Sequence, residues 1–197
     1  MLLSPDIGAA VLAAGSGRRF GADKRLYPLD GKPLLHHALG KPLSRGLPTL
    51  LVLKPTDELI IDQLAGPWLG NDRLTIVYAE NALQGMGHSL AAAAAAAHAN
   101  VFSAMLVMLA DMPYIAPRTL DRVCQAYQPK GIVVPHFQGL SGHPVLFASY
   151  WFEQLAALTG DQGARLLIED HPGYVTVLDI DDPGIVRDID RRPVGGL

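Results

Sequence analysis

Short apolar runs alternate with segments of helical period along this chain, and that alternation restricts the fold more than any other feature. Strands are predicted at Ala9–Ala13, Leu50–Leu53, Leu74–Tyr78, Met105–Ala110, Ile132–Val134, Val145–Phe147 and Val175–Leu178. Helices are predicted between them at Leu34–Leu43, Asp57–Leu64, Gly87–Ala99, Pro117–Tyr127, Tyr150–Ala157 and Ala164–Glu169, with a last turn over Pro183–Ile189. The pattern predicts an α/β fold, a mostly parallel sheet with helices on both faces. The run Ala91–Ala97 fits it, because small side chains let a helix approach a sheet closely. A chain of 197 residues that is 49% hydrophobic and 18% charged suits one well-buried domain spanning residues 1–197.

A net charge of −3 gives no basic field of the kind that drives nucleic-acid binding, so a small-molecule partner is favoured. The single cysteine, Cys124, allows neither an internal disulfide nor a cysteine zinc cluster and shares a helical face with Leu120 and Tyr127, as a packed thiol would. The N-terminal residues lack a signal-peptide pattern and no apolar run is long enough to span a bilayer, so a soluble, cytoplasmic protein without a membrane partner is expected.

In open α/β sheets ligands bind beyond the carboxyl ends of the strands. The first predicted strand runs into Gly15-Ser16-Gly17-Arg18-Arg19-Phe20-Gly21-Ala22-Asp23-Lys24. Its glycines let backbone N–H groups approach an anion, and Arg18, Arg19 and Lys24 supply positive charge, which reads as a triphosphate cradle. Phe20 breaks the dinucleotide fingerprint, and Lys24 stands between Asp23 and Arg25 rather than in a Walker motif. Asp111 ends a very apolar strand, where a carboxylate is suited to holding Mg²⁺ on a bound triphosphate. Glu80 and Asn81 follow another strand, and Gln84, Gly85 and Ser89 open the alanine-rich helix, where the dipole is positive and a base could be read. These strand ends are expected to meet.

The loop Leu12–Lys24, Gln84-Gly85-Met86-Gly87-His88-Ser89, Asp111-Met112-Pro113, Gly142-His143-Pro144-Val145 and Gly160-Asp161-Gln162-Gly163-Ala164-Arg165 occur in the order seen in molybdenum cofactor cytidylyltransferases, which the chain resembles over nearly its whole length. The resemblance implies a Rossmann-like three-layer nucleotidyltransferase fold with a mixed central sheet. It also implies Mg²⁺-dependent transfer of CMP from CTP to the phosphate of molybdopterin, with release of pyrophosphate and a molybdenum hydroxylase as the recipient of the product. By the same resemblance Leu12, Ala13, Ala14, Gly15 and Gly17 line the nucleotide, and Arg19 and Lys24 grip its phosphates, with Arg18 beside them. Asp111 holds the metal, and His143, Asp161 and Arg165 border the pterin pocket. Ala14 stands where guanylyl relatives usually carry glycine, which favours CTP. Asp181, in Asp179-Ile180-Asp181-Asp182-Pro183, or its neighbour Asp179, is expected to add a metal ligand. The alternatives are nucleotidyl transfer to a sugar or isoprenoid phosphate, a non-catalytic cofactor carrier, and a nicotinamide-dependent oxidoreductase.

Overall fold

The apolar runs form strands, and the order in which they pair sets the position of everything else. In the computed structural model, residues 6–15, 20, 22–161 and 163–190 are described. The main-sheet strands are β1 (Ile7–Leu12), β4 (Thr49–Leu53), β5 (Leu74–Tyr78), β6 (Ala104–Leu109), β7 (Ile132–Phe137), β9 (Val145–Ala148) and β10 (Val175–Asp179), with short β8 (Leu140–Ser141) hooked onto β7. Their order is β10-β7-β9-β6-β1-β4-β5. Along that path every pair is parallel except the two made by β9, which runs antiparallel to both β6 and β7. A mostly parallel, mixed sheet is therefore the observed centre of the fold, as the alternation predicts.

Successive side chains of a strand point to opposite faces, so a strand buried on both sides must be apolar at every position. On β1, Ala9 and Val11 belong to one core with Leu35, Ala38 and Leu39 of α1 (Leu34–Ser44), Leu64 of α2 (Ile61–Ala65) and Leu120 and Val123 of α4 (Pro117–Gln125). Ala10 and Leu12 belong to the opposite core with Leu90, Ala93, Ala94 and Ala97 of α3 (Met86–Ala99) and Phe152 and Leu155 of α5 (Phe152–Ala156). The sixth helix, α6 (Arg165–Asp170), has no fully buried residue and flanks the second core through Leu167 and Ile168.

Two segments differ from expectation for local reasons. The helix expected over Asp57–Leu64 begins as a 3-10 turn at Pro55–Ile60, tightened where the Asp57 carboxylate accepts from the Lys54 N–H at 3.0 Å, and only then becomes α2. The expectation also passes over a two-residue hairpin, β2 (Pro28–Leu29) and β3 (Lys32–Pro33), whose Asp30-Gly31 turn has both φ angles positive. Asp-Gly is a strong sequence signal for that turn.

Candidate active site

β1 and β6 are neighbours, so their carboxyl ends deliver Ala13-Ala14-Gly15 and Ala110-Asp111 side by side, tied where the Ala110 N–H donates to the Leu12 carbonyl at 3.1 Å. A cavity of about 710 Å³ opens there, lined among others by Leu12, Ala13, Ala14, Gly15, Lys24, Lys54, Gly85, Ser89, Asp111, Asp161 and Asp190. Lys24 Nζ is 2.9 Å from Asp111 Oδ2 and 3.3 Å from Asp190 Oδ1. Asp111, Asp188 and Asp190 each offer one carboxylate oxygen, and these lie within 4.8 Å of one another. Burial and the like charges of Asp190 and Asp111 push the Asp188 carboxyl above the ordinary range.

A second charged group stands behind the first. Arg25 is buried and donates Nη1 to the Ala13 carbonyl at 2.9 Å, Nε to Asp23 at 2.9 Å and Nη2 to Asp57 at 2.8 Å. One guanidinium thus ties the end of β1, the residue before Lys24 and the turn after β4. Burial raises the pKa of both carboxylates, but the hydrogen bonds and charge of Arg25 outweigh it, so Asp23 and Asp57 lie below the ordinary value.

The acids at 188 and 190 reach Asp111 because the chain after β10 is stapled. Buried Asp182 accepts from the Ala116 N–H at 2.8 Å, the Thr119 hydroxyl at 2.6 Å and the Gly184 N–H at 2.9 Å. A Cβ on Gly184 would sit 2.2 Å from the Tyr114 carbonyl, so only glycine permits this approach. The Ile189 N–H then donates to the Asp111 carbonyl at 3.0 Å. Lys41 of α1 fixes the same corner, donating to the Pro113 and His37 carbonyls at 2.6 and 2.7 Å.

Beside the first cavity lies another of about 480 Å³, bordered by Val107, Val134, Gly142, His143, Val145, Phe147, Ala164 and Arg165, and sharing Leu12, Met86 and Leu109 with the first. His143 Nδ1 lies 3.4 Å from the Val107 carbonyl, and burial holds its pKa below the ordinary value against that contact and the charge of Asp111. Arg165 is exposed and pairs with Glu169 at 2.6 Å. Gly85, which lines the first cavity, has φ +137°, and a Cβ there would meet the Gly160 carbonyl carbon at 2.2 Å.

The sequence matches the MobA-like NTP transferase domain over residues 9–175. The chain belongs to the MobA-like NTP transferase family. It is 30% identical over 191 residues to the purine catabolism protein PucB of Bacillus subtilis (strain 168), covering 95% of this chain and 93% of that one. It is 27% identical over 195 residues to nicotine blue oxidoreductase of Paenarthrobacter nicotinovorans, covering 94% and 93%. Rv0371c from Mycobacterium tuberculosis H37Rv superposes with a TM-score of 0.78 at 26% identity, covering 95% of this chain and 94% of that one. The same protein has been solved in complex with manganese, with a TM-score of 0.70 over 90% of this chain and 89% of that one. As a MobA-like NTP transferase, the chain is a nucleotidyltransferase.

A divalent cation suits the residues present. Asp111 Oδ1 is a buried side-chain oxygen with no hydrogen-bond partner among the described residues, and with Asp188 and Asp190 it makes an all-oxygen donor set of the kind hard cations take. Of the residues expected from sequence, Leu12, Ala13, Ala14, Gly15, Lys24, Gly85, Ser89, Asp111 and Asp161 line the first cavity, and His143 and Arg165 the second. Gly17, Arg18 and Arg19 lie outside the described residues.

Two groups of expected residues lie elsewhere. Glu80, Asn81 and Gln84 are exposed and line neither cavity; the segment after β5 reaches the first cavity through Ala82 and Leu83 instead, and Gln84 Nε2 donates to Asn81 Oδ1 at 3.2 Å. Asp181 is exposed and outside the acid cluster, and so is Asp179; β10 is separated from β6 by β7 and β9. Asp188 and Asp190 stand beside Asp111 instead, in a second Asp-Ile-Asp a few residues on. Lys54, directly after β4, also faces the cavity, and the strand-end rule that selects Asp111 would have selected it.

Proposed function

We propose that this chain transfers CMP from CTP to the phosphate of molybdopterin or its metal-bearing form, with Mg²⁺, and releases pyrophosphate to give a cofactor for a molybdenum hydroxylase. The observation that carries the reading is the pairing of a cavity that holds Lys24 beside Asp111 and Asp190 with an adjoining cavity walled largely by apolar side chains. Such a site suits two substrates, a triphosphate and a flat heterocycle bearing a phosphate. The manganese complex of the related Rv0371c supports a divalent cation.

In the reaction an acceptor phosphate oxygen bonds to the α-phosphorus of CTP as the bond from that phosphorus to the bridging oxygen breaks. The nucleophile is already anionic, so the protein has no proton to remove; its task is to bring two polyanions into line. Lys24 and, by resemblance, Arg19 offset their repulsion. Asp111, Asp188 and Asp190 would hold the cation, which supplies charge stabilisation to the departing pyrophosphate. His143, held neutral by burial, turns one ring N–H to the Val107 carbonyl and leaves the other nitrogen as an acceptor for a heterocycle N–H.

The test is thermal unfolding with CTP, GTP, ATP, UTP or NADPH, each with and without Mg²⁺, followed by pyrophosphate release with molybdopterin. A ligand at about 100 times its Kd adds about 2.7 kcal/mol, which is roughly 5–11 °C for a domain of this size. CTP with Mg²⁺ is expected to give the largest shift, and Asp111→Ala to lose turnover while keeping the fold. A larger shift with another nucleotide overturns the choice of donor, and one with NADPH turns the reading towards an oxidoreductase.

A further inference from the structure

The Lys24 ammonium is seated on two of the three carboxylates that would bind a divalent cation, at 2.9 Å from Asp111 and 3.3 Å from Asp190. Its side chain is only 12% exposed, so it is held among the acids rather than lying across them. An ammonium and a divalent cation both at contact distance from Asp111 Oδ2 repel each other, so each weakens the other's hold on that oxygen. We infer that Lys24 is a tethered counter-ion that competes with the metal until the nucleotide arrives. The metal then settles on the acids as the ammonium passes to the phosphates, so metal and nucleotide bind as one cooperative event. This rests on the metal and nucleotide reading of the same site.

The geometry makes the swap economical. Three carboxylates within 4.8 Å repel one another, and Lys24 relieves that repulsion only in part, leaving the buried Asp111 Oδ1 without a partner among the described residues. A divalent ion serves that oxygen as well as the other two acids. The displaced ammonium needs an anion, and the triphosphate is the anion that would enter the same cavity, which Lys24 and Asp111 both line. Each binding step therefore removes the cost of the other, which is positive coupling in the thermodynamic sense.

The consequence is a prediction of opposite signs for one residue. Without nucleotide, Lys24→Met should bind Mn²⁺ about thirtyfold tighter than the wild type, the effect of one unit charge on a divalent ion at about 4 Å in water. The same variant should bind CTP more weakly and lose the mutual enhancement between Mn²⁺ and CTP. Mn²⁺ binding is read by electron paramagnetic resonance on the full chain, with circular dichroism as the check on folding. Lys24→Arg, which keeps the charge, should gain no Mn²⁺ affinity, and it decides the matter if Lys24→Met does not fold: a gain there sinks the swap.

Asp111→Asn separates the two ways of failing. If it binds Mn²⁺ as well as the wild type does, the metal site itself is misassigned. If it loses Mn²⁺ while Lys24→Met binds no more tightly than the wild type, the metal site stands and the competition is refuted.

Discussion

Arg25→Met offers the most direct test of how the active-site loop is held. The guanidinium is matched to Asp23 and Asp57 and to the Ala13 carbonyl, with side-chain exposure of 8% for Arg25 and 4% for Asp57. Methionine keeps most of the volume but strands the Asp57 carboxylate in the interior. Breaking a buried pair from one side costs about 3–5 kcal/mol, which for a domain of this length lowers Tm by roughly 6–20 °C. The loss should depend on pH in a set direction. Asp23 and Asp57 titrate below the ordinary 3.8 in the folded chain, so the stability they contribute is complete above that value and is lost as pH falls through their lowered pKa values. The gap between wild type and Arg25→Met should therefore be widest near pH 7 and narrow below about pH 4. Urea unfolding at a series of pH values measures it. A gap below about 1 kcal/mol at pH 7, the size of an exposed pair, or one that does not change with acid, would refute the account.

Asp182→Asn keeps shape but cannot accept from all three donors, so it should cost about 1–3 kcal/mol in urea unfolding and weaken Mn²⁺ binding as Asp188 and Asp190 drift from Asp111. Equal stability and equal Mn²⁺ affinity would show that the staple does not set the cluster. Burial pushes Lys41 down to about 8 against the nearby charge of Asp182, so between that value and the ordinary 10.5 the unfolded chain binds more protons and stability rises with pH. Across that window the wild type should gain on Lys41→Met; parallel curves would contradict this. Burial pushes the Cys124 thiol up to about 11, so a disulfide reagent at pH 7 should react with the native chain about a hundredfold more slowly than with the urea-unfolded one.

The strands were legible because burial on both faces leaves an unbroken apolar run, and Met105–Ala110 could hardly be read otherwise. Asp111 and Lys24 were legible for the converse reason, as charges placed where such a run or a glycine turn ends. What sequence could not convey was which strand ends are neighbours. Asp179-Ile180-Asp181 follows a strand, yet β10 is an edge of the sheet, and strand order is a long-range property; after β5 it is Ala82 and Leu83, not Glu80-Asn81, that reach the cavity. Asp188 and Asp190 follow no strand; they reach the site through the Asp182 contacts to Ala116 and Thr119, which pair residues more than sixty positions apart. Arg25 reads as one more cation beside Lys24, and only its depth and its two aspartates show that it braces the loop rather than serving the phosphates.

Leu12, Met86 and Leu109 border both cavities and form a party wall between them. With the nucleotide in one cavity and the acceptor in the other, as proposed, reshaping this wall to admit a different nucleotide would alter the room left for the acceptor. On that proposal donor and acceptor preferences would change together, and new specificities should arise by paired changes on either side of the wall rather than by drift at one pocket alone.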